Sequence, residues 1–200
     1  KANPSNINNS INYYDPYLLR LLASKDNDWQ LIDSTENARC YTNNKEIGYC
    51  AFKSVFTLDI EYKKLVKFLN DPNNLKIYQK NIRDLKVELN EEKKSKFNII
   101  YNIPFPFQNR EIYAESNFIE NKENNYCVIY LKRLDKKFKN TELKINYCGY
   151  FIKKLDKNKS LLISLNSLNP GSSILESIIK KNYSKYNLVF DKILLKNIKT

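Results

Sequence analysis

The polar residues that stand out in this chain are Arg110 and Glu111, which close the stretch Pro104 to Glu111, PFPFQNRE. A guanidinium beside a carboxylate serves either as a salt bridge that anchors a strand or as a polar contact to a ligand. Neither role is acid–base catalysis. The chain has 0 His, so it holds no Ser-His or Cys-His nucleophile and no histidine base. Carboxylates, lysines and tyrosines remain, but no spacing singles out a catalytic pair. Cys40, Cys50, Cys127 and Cys148 show no C-x-x-C spacing. Without histidine a thiolate zinc site would need all four. Buried free thiols are the simpler reading, with a pair across neighbouring strands as the alternative. The expectation is a protein that is not an enzyme and uses no metal or cofactor.

The net charge of +12 and pI near 9.4 favour anionic partners, either nucleic acid or an acidic membrane surface. The lysines stand singly or in pairs, as at Lys63-Lys64 and Lys153-Lys154, which suits a solvated surface. With Gly 3 and Met 0, the composition is that of an A+T-rich genome, which inflates lysine. No apolar stretch reaches the ~20 residues of a spanning helix. The chain begins at Lys1, so the expectation is a fragment or processed form that has lost a targeting segment. That would fit a secreted or exported parasite protein, of the kind malaria organisms make. The compartment is otherwise not legible.

The elements that must position these residues follow from periodicity. Residues 1–12 are polar, Asn-rich and expected to be disordered, and 13–200 form a single domain. Asp15-Pro16 opens a first helix. Strand patterns follow in WQLIDS, ARCYTN and GYCAFKSVFTL. Asp59 is placed to cap a short helix that presents Ile60, Leu65, Phe68 and Leu69, and Asp71-Pro72 restarts a second through Leu75 and Tyr78. Six strands are read over 82–90, 95–103, 110–120, 124–134, 142–155 and 158–168, joined by short loops. Last comes a helix of about 25 residues from Ser173, with Ser173 and Glu176 at capping-box spacing. Leu175, Ile178, Ile179, Tyr183 and Tyr186 lie on its apolar stripe. The fold class is α+β: a strongly curved antiparallel sheet with a long helix against it.

Four stretches in order resemble the START lipid-transfer family, nearest its phosphatidylcholine-transfer branch. They are DWQLI at Asp28–Ile32, GYCAFKSVF at Gly48–Phe56, PFPFQNRE at Pro104–Glu111 and NPGSS at Asn169–Ser173. The resemblance implies a helix-grip fold, in which about nine strands curl around the C-terminal helix and enclose an apolar tunnel for one lipid. A filled core would give the same residue pattern. A diacyl lipid exposes roughly 30 methylenes at about 0.8 kcal/mol each, so a dry tunnel removes a cost of ~20 kcal/mol.

Carried over by position, the resemblance sets the lipid-contacting residues. The branch's phosphate-binding Arg falls on Leu75, its cage residues on Ile99, Ile112 and Tyr147, and a valine position on Tyr101. A cavity Arg of the sterol-binding branch falls on Ser116. Leu69, Ala114, Gly149, Leu175, Ile178, Ile179 and Tyr186 complete the implied lining. Arg110 and Glu111 stand where the family has Arg-Asp. Leu168 and Ile174 are the expected membrane-docking positions, helped by nearby lysines at about 1 kcal/mol each on an anionic surface.

The implied function is transfer of a single phosphatidylcholine-like phospholipid, with a broad headgroup range, by a monomer that visits membranes. The alternative is a lipid-sensing module that signals to a protein. Enzymatic and nucleic-acid-binding roles rank below both.

Overall fold

The computed structural model describes residues 28–45, 48–135, 138 and 141–198. The segment 1–12 and the helix read from Asp15-Pro16 lie outside the described residues.

Three strands, β1 (Gln30–Ser34), β2 (Ala38–Asn43) and β3 (Cys50–Leu58), form a meander. Helix α1 (Tyr62–Asn70), a 3₁₀ turn (Pro72–Asn74) and α2 (Leu75–Tyr78) follow. Then come β4 (Ile82–Asn90), β5 (Lys94–Tyr101), β6 (Arg110–Asn121), β7 (Tyr126–Arg133), β8 (Thr141–Glu142), β9 (Lys144–Asp156) and β10 (Lys159–Asn169). Helices α3 (Ser173–Asn187) and α4 (Phe190–Ile198) end the described chain.

All strands join one sheet in the order β1-β2-β3-β10-β9-β7-β6-β5-β4, and two-residue β8 runs parallel to β6 off that path. The other pairings are antiparallel, and β10 against β3 welds the first meander to the last. The architecture is therefore the expected α+β one, a curved antiparallel sheet with the C-terminal helical segment against it.

Register determines which side chains face that helix. Ser164 pairs with both Ser54 and Tyr150, and Asn166 pairs with both Phe52 and Cys148. Alternation then places Cys50, Phe52, Ser54 and Phe56 of β3 on one face with Leu162, Ser164 and Asn166 of β10 and Cys148, Tyr150 and Ile152 of β9. The main core lies on this inner face and includes Phe56, Leu65, Leu69, Phe97, Ile99, Ile112, Ile152 and Leu194. The outer face is also covered at the sheet centre, where Trp29 packs with Ala51, Tyr147 and Leu165. Lys53 lies over both Trp29 and Tyr41, 5.1 and 5.0 Å from their ring centres.

Several local expectations change. The C-terminal helix is two helices, broken at Leu188 and Val189, because Phe190 turns inward to meet Phe56 at 5.5 Å and Tyr78 at 5.4 Å. Its N-cap is Ser172, whose Oγ accepts from the Leu175 N–H at 3.5 Å, so the Ser173–Glu176 box does not form. Asp59 does not cap α1, which starts after Glu61; Asp59 instead pairs with Lys159 at 3.7 Å. Asp71 does cap the next turn, accepting from the Asn73 N–H at 3.0 Å with Pro72 behind it. The four cysteines are free, which removes the cross-strand disulfide.

Candidate functional site

The site grows out of the inner face between β9, β10 and the helices. Among the described residues a cavity of about 40 Å³ is lined by Leu69, Asn70 and Pro72 of the α1 end, by Leu75, Tyr78 and Gln79, and by Phe97, Ser116, Ile129, Leu131, Cys148, Gly149 and Tyr150 of the sheet. That volume accommodates on the order of three water-sized groups. Phe56, Phe97, Ile99, Ile112, Ile152, Leu162 and Leu194 pack in the core on the same inner face.

Two polar networks flank the cavity. Toward α3, Tyr183 stacks on Phe52 with ring centres 3.7 Å apart, and its hydroxyl lies 3.1 Å from Ser54 Oγ. Ser54 Oγ also donates to Asn187 Oδ1 at 3.1 Å. Nearby, Cys148 Sγ donates to Asn166 Oδ1 at 3.0 Å, and Asn166 Nδ2 donates to Ser164 Oγ at 3.2 Å. Toward α2, Tyr101 donates its hydroxyl hydrogen to Gln79 Oε1 at 2.9 Å. Tyr78 is buried, and its hydroxyl has no hydrogen-bond partner. Tyr150 acts on the ionisation of Tyr78 as a hydrogen-bonding neighbour, although no bond to the Tyr78 hydroxyl meets strict geometry. Burial pushes the phenols of Tyr78, Tyr101, Tyr150 and Tyr183 well above their ordinary range, and the Cys148 thiol up to about 12. At neutral pH these groups are therefore uncharged donors and acceptors.

Of the lining read from sequence, Leu69, Leu75, Ser116 and Gly149 do line the cavity. Gly149 does so through its backbone at the last β7–β9 pair, Tyr130 against Gly149. Ile99, Ile112 and Ala114 belong to the inner core, and Tyr101 packs against it. Leu175 is buried on α3 and Ile179 is half-buried, whereas Ile178 is exposed. The side chain of Tyr186 lies outside the described residues. Tyr147 is displaced: it pairs with Ser167 in unbroken alternation with the inward-facing Cys148 and Tyr150, so it lies on the outer face against Trp29. Leu168 is half-buried and packs against the main core. Ile174 is exposed.

Arg110 is buried, and its guanidinium reaches backbone: Nε–H donates to the Pro170 carbonyl and Nη1–H to the Gln108 carbonyl, each at 2.7 Å. Burial lowers its pKa. It thus ties the 104–109 corner to the turn before α3. Glu111, also buried, accepts from Asn98 Nδ2 at 3.0 Å. Phe105 projects from the same corner with 96% of its surface exposed.

Sequence reasoning missed Tyr78, Tyr150, Ser54, Asn166 and Asn187 as interior polar groups. The alternation of INYCGYFI does place Tyr150 and Cys148 on one face, and that was the available signal. Which face is inward depends on the pairing with β10.

By sequence, no family model and no curated protein matches the chain. By structure it is similar to human STARD10, with 15% identity, TM-score 0.75, and coverage of 91% of this chain and 79% of that one. It is similar to human StAR-related lipid transfer protein 5, with 9% identity, TM-score 0.74, and coverage of 98% and 96%. It is also similar to a STAR-related lipid transfer protein fragment from Xanthomonas axonopodis, with 14% identity, TM-score 0.71, and coverage of 86% and 99%. The fold is that of StAR-related lipid transfer domains. Neither the phosphatidylcholine-transfer branch nor a parasite origin gains support from these likenesses.

Proposed function

We propose that this protein binds single lipid molecules beneath its C-terminal helices and carries them between membranes, without covalent chemistry. The observation that carries the reading is a curved sheet whose inner face holds a largely apolar core and a small cavity beneath two C-terminal helices that break at Leu188 and Val189. The break at Leu188 and Val189 lets α3 lift from β3 while α4 keeps Phe190 on the core. Lifting α3 gives up the Tyr183–Phe52 stack and the Ser54 bonds, and a lipid chain entering the gap restores apolar contact at about 0.8 kcal/mol per buried methylene. Exchange then needs little net free energy.

A phospholipid is the finer expectation. The position that would grip its phosphate is Leu75, so headgroup tolerance is broad and a charged headgroup is not clamped inside. Membrane visits are made through the end of the molecule that carries Phe105 and Ile174. The test is transfer of fluorescent lipids between vesicles at catalytic protein concentration. Transfer well above the spontaneous rate is expected, and none for any lipid class would sink the reading. Retention of one lipid without exchange would favour the sensor role.

A further inference from the structure

Charge on the helices has one sign. Among the described residues, every exposed charged side chain of α1, α2, α3 and α4 is a lysine. Asp191 of α4 is buried, and Glu176 of α3 is half-buried and paired with Lys180 at 2.6 Å. A lysine-rich composition does not explain this, because the turns of the sheet mix signs, as at Glu92-Lys93, Lys122-Glu123 and Asp156-Lys157. Lys63, Lys64 and Lys67 stand on α1 and Lys192 and Lys196 on α4, and these two helices pack against each other. The place of α1 in the fold sets what its lysines can reach. At its start the Tyr62 hydroxyl donates to Glu120 Oε1 at 3.5 Å, near the end of β6. At its end Asn70 Nδ2 donates to the Glu92 carbonyl at 2.7 Å, in the β4–β5 turn. Both anchors lie opposite the 104–109 corner, because β5 runs toward that corner and β6 runs away from it. From Arg110 to Glu120 is about 33 Å of strand. Surface charges are screened beyond about 8 Å at physiological salt, so these lysines take no part in a bilayer contact made by Phe105 and Ile174.

We propose that the lysine face of α1 and α4 is a second docking surface, for an anionic bilayer other than the one met by the Phe105 end, so that one molecule bridges two membranes. The inference rests on the lipid-carrier reading and names a partner for it. The chemistry of the face selects a bilayer over a macromolecule. Beside the five lysines its one other exposed residue is Asn197, so it presents no Arg and no exposed aromatic side chain. Protein interfaces are anchored by Trp, Tyr and Arg and are depleted in Lys. Single-stranded nucleic acid needs aromatic platforms on which bases stack. A sheet of lipid phosphates and carboxylates asks only for flexible point charges, which lysines are.

The experiment mixes two dye-labelled populations of vesicles, made of phosphatidylserine and phosphatidylcholine in equal parts, with the whole protein. Clustering is read by energy transfer between the dyes, and lipid transfer is followed in parallel. The wild type is expected to cluster these vesicles, to leave pure phosphatidylcholine vesicles apart, and to release its clusters in about 1 M salt, where the screening length falls to about 3 Å. Each lysine near an anionic surface contributes about fivefold to binding. Lys63→Glu with Lys64→Glu and Lys67→Glu is therefore expected to weaken the face by at least about a hundredfold and abolish clustering, while single vesicles still bind at the Phe105 end. Lys86→Glu with Lys132→Glu and Lys157→Glu alters exposed lysines of the strands and turns, changes net charge equally, and is expected to cluster like the wild type. If the first triple variant fails to fold, Lys63→Gln with Lys64→Gln and Lys67→Gln takes its place, with the same loss expected. Equal loss in both triple variants, or wild-type clustering by the α1 variant, overturns the proposal. So does binding of RNA or poly-glutamate to this face in place of vesicles. A wild type that transfers lipid without clustering overturns the proposal and leaves the carrier reading standing, whereas no transfer of any lipid overturns the carrier reading itself.

Discussion

Arg110 shows how one residue can hold two loops through backbone alone. Its side chain is buried and satisfies the carbonyls of Gln108 and Pro170, so Arg110→Ala strands both acceptors. A loss of about 2–4 kcal/mol is expected in urea unfolding, and Arg110→Lys should recover only part because an ammonium lacks the planar fork. An unchanged midpoint for Arg110→Ala would show that the tie contributes nothing. The thiols offer a second measurement. Burial raises the pKa of Cys50, Cys127 and Cys148 from 9.0 to about 12 in each case. Three units cut the thiolate fraction at pH 8 by roughly a thousandfold, so iodoacetamide should label the folded protein slowly and the urea-unfolded protein fast. Labelling of Cys148 at the rate of a free thiol would mean that the interior opens more readily than the structure implies.

At the scale of elements, β9 carries the tightest constraint. A Cβ on Gly149 would lie 2.5 Å from the Ile129 carbonyl oxygen and 3.1 Å from the Tyr130 Cα, both backbone atoms that cannot rotate away. Gly149→Ala is expected to cost about 1–3 kcal/mol, as overpacking does, and to disturb the cavity wall. Circular dichroism melts would settle it, and a neutral substitution would mean that β7 and β9 part easily. Much of this level was legible in the sequence. Strands 82–90 and 110–120 were read nearly to the residue, because alternation between Asn- and Lys-rich turns is a local signal. The helix break at Leu188 and Val189 was not, since no Gly or Pro marks it; the cause is distant, in Phe56 and Tyr78 drawing Phe190 inward. Tyr147 was misassigned because Cys148 and Tyr150 take the inner face and alternation then turns Tyr147 outward; which face is inward is set by the distant pairing with β10 and is no local signal. The Tyr78 site was illegible because its residues come from α2, β9 and the following Gln79, and only the closed sheet brings them together.

For the whole molecule, the two loops joined by Arg110 define one end. Phe105 is 96% exposed and Ile174 is 61% exposed there, and Lys144, paired in register with Asn169, is exposed beside them. Two apolar side chains with an adjacent cation suit shallow insertion into an anionic bilayer, where each lysine near the surface contributes about 1 kcal/mol. Full burial of a Phe or Ile side chain contributes about 1.5–3 kcal/mol. Both side chains are exposed, so replacing them tests membrane contact without opening the core. Phe105→Ser with Ile174→Ser is therefore expected to weaken co-sedimentation with phosphatidylserine vesicles by at least about tenfold and to slow transfer in parallel, with the melting temperature unchanged. High salt should weaken binding of the wild type further, through the lysines alone. If the double variant sediments and transfers like the wild type, this end is not the one that meets the membrane.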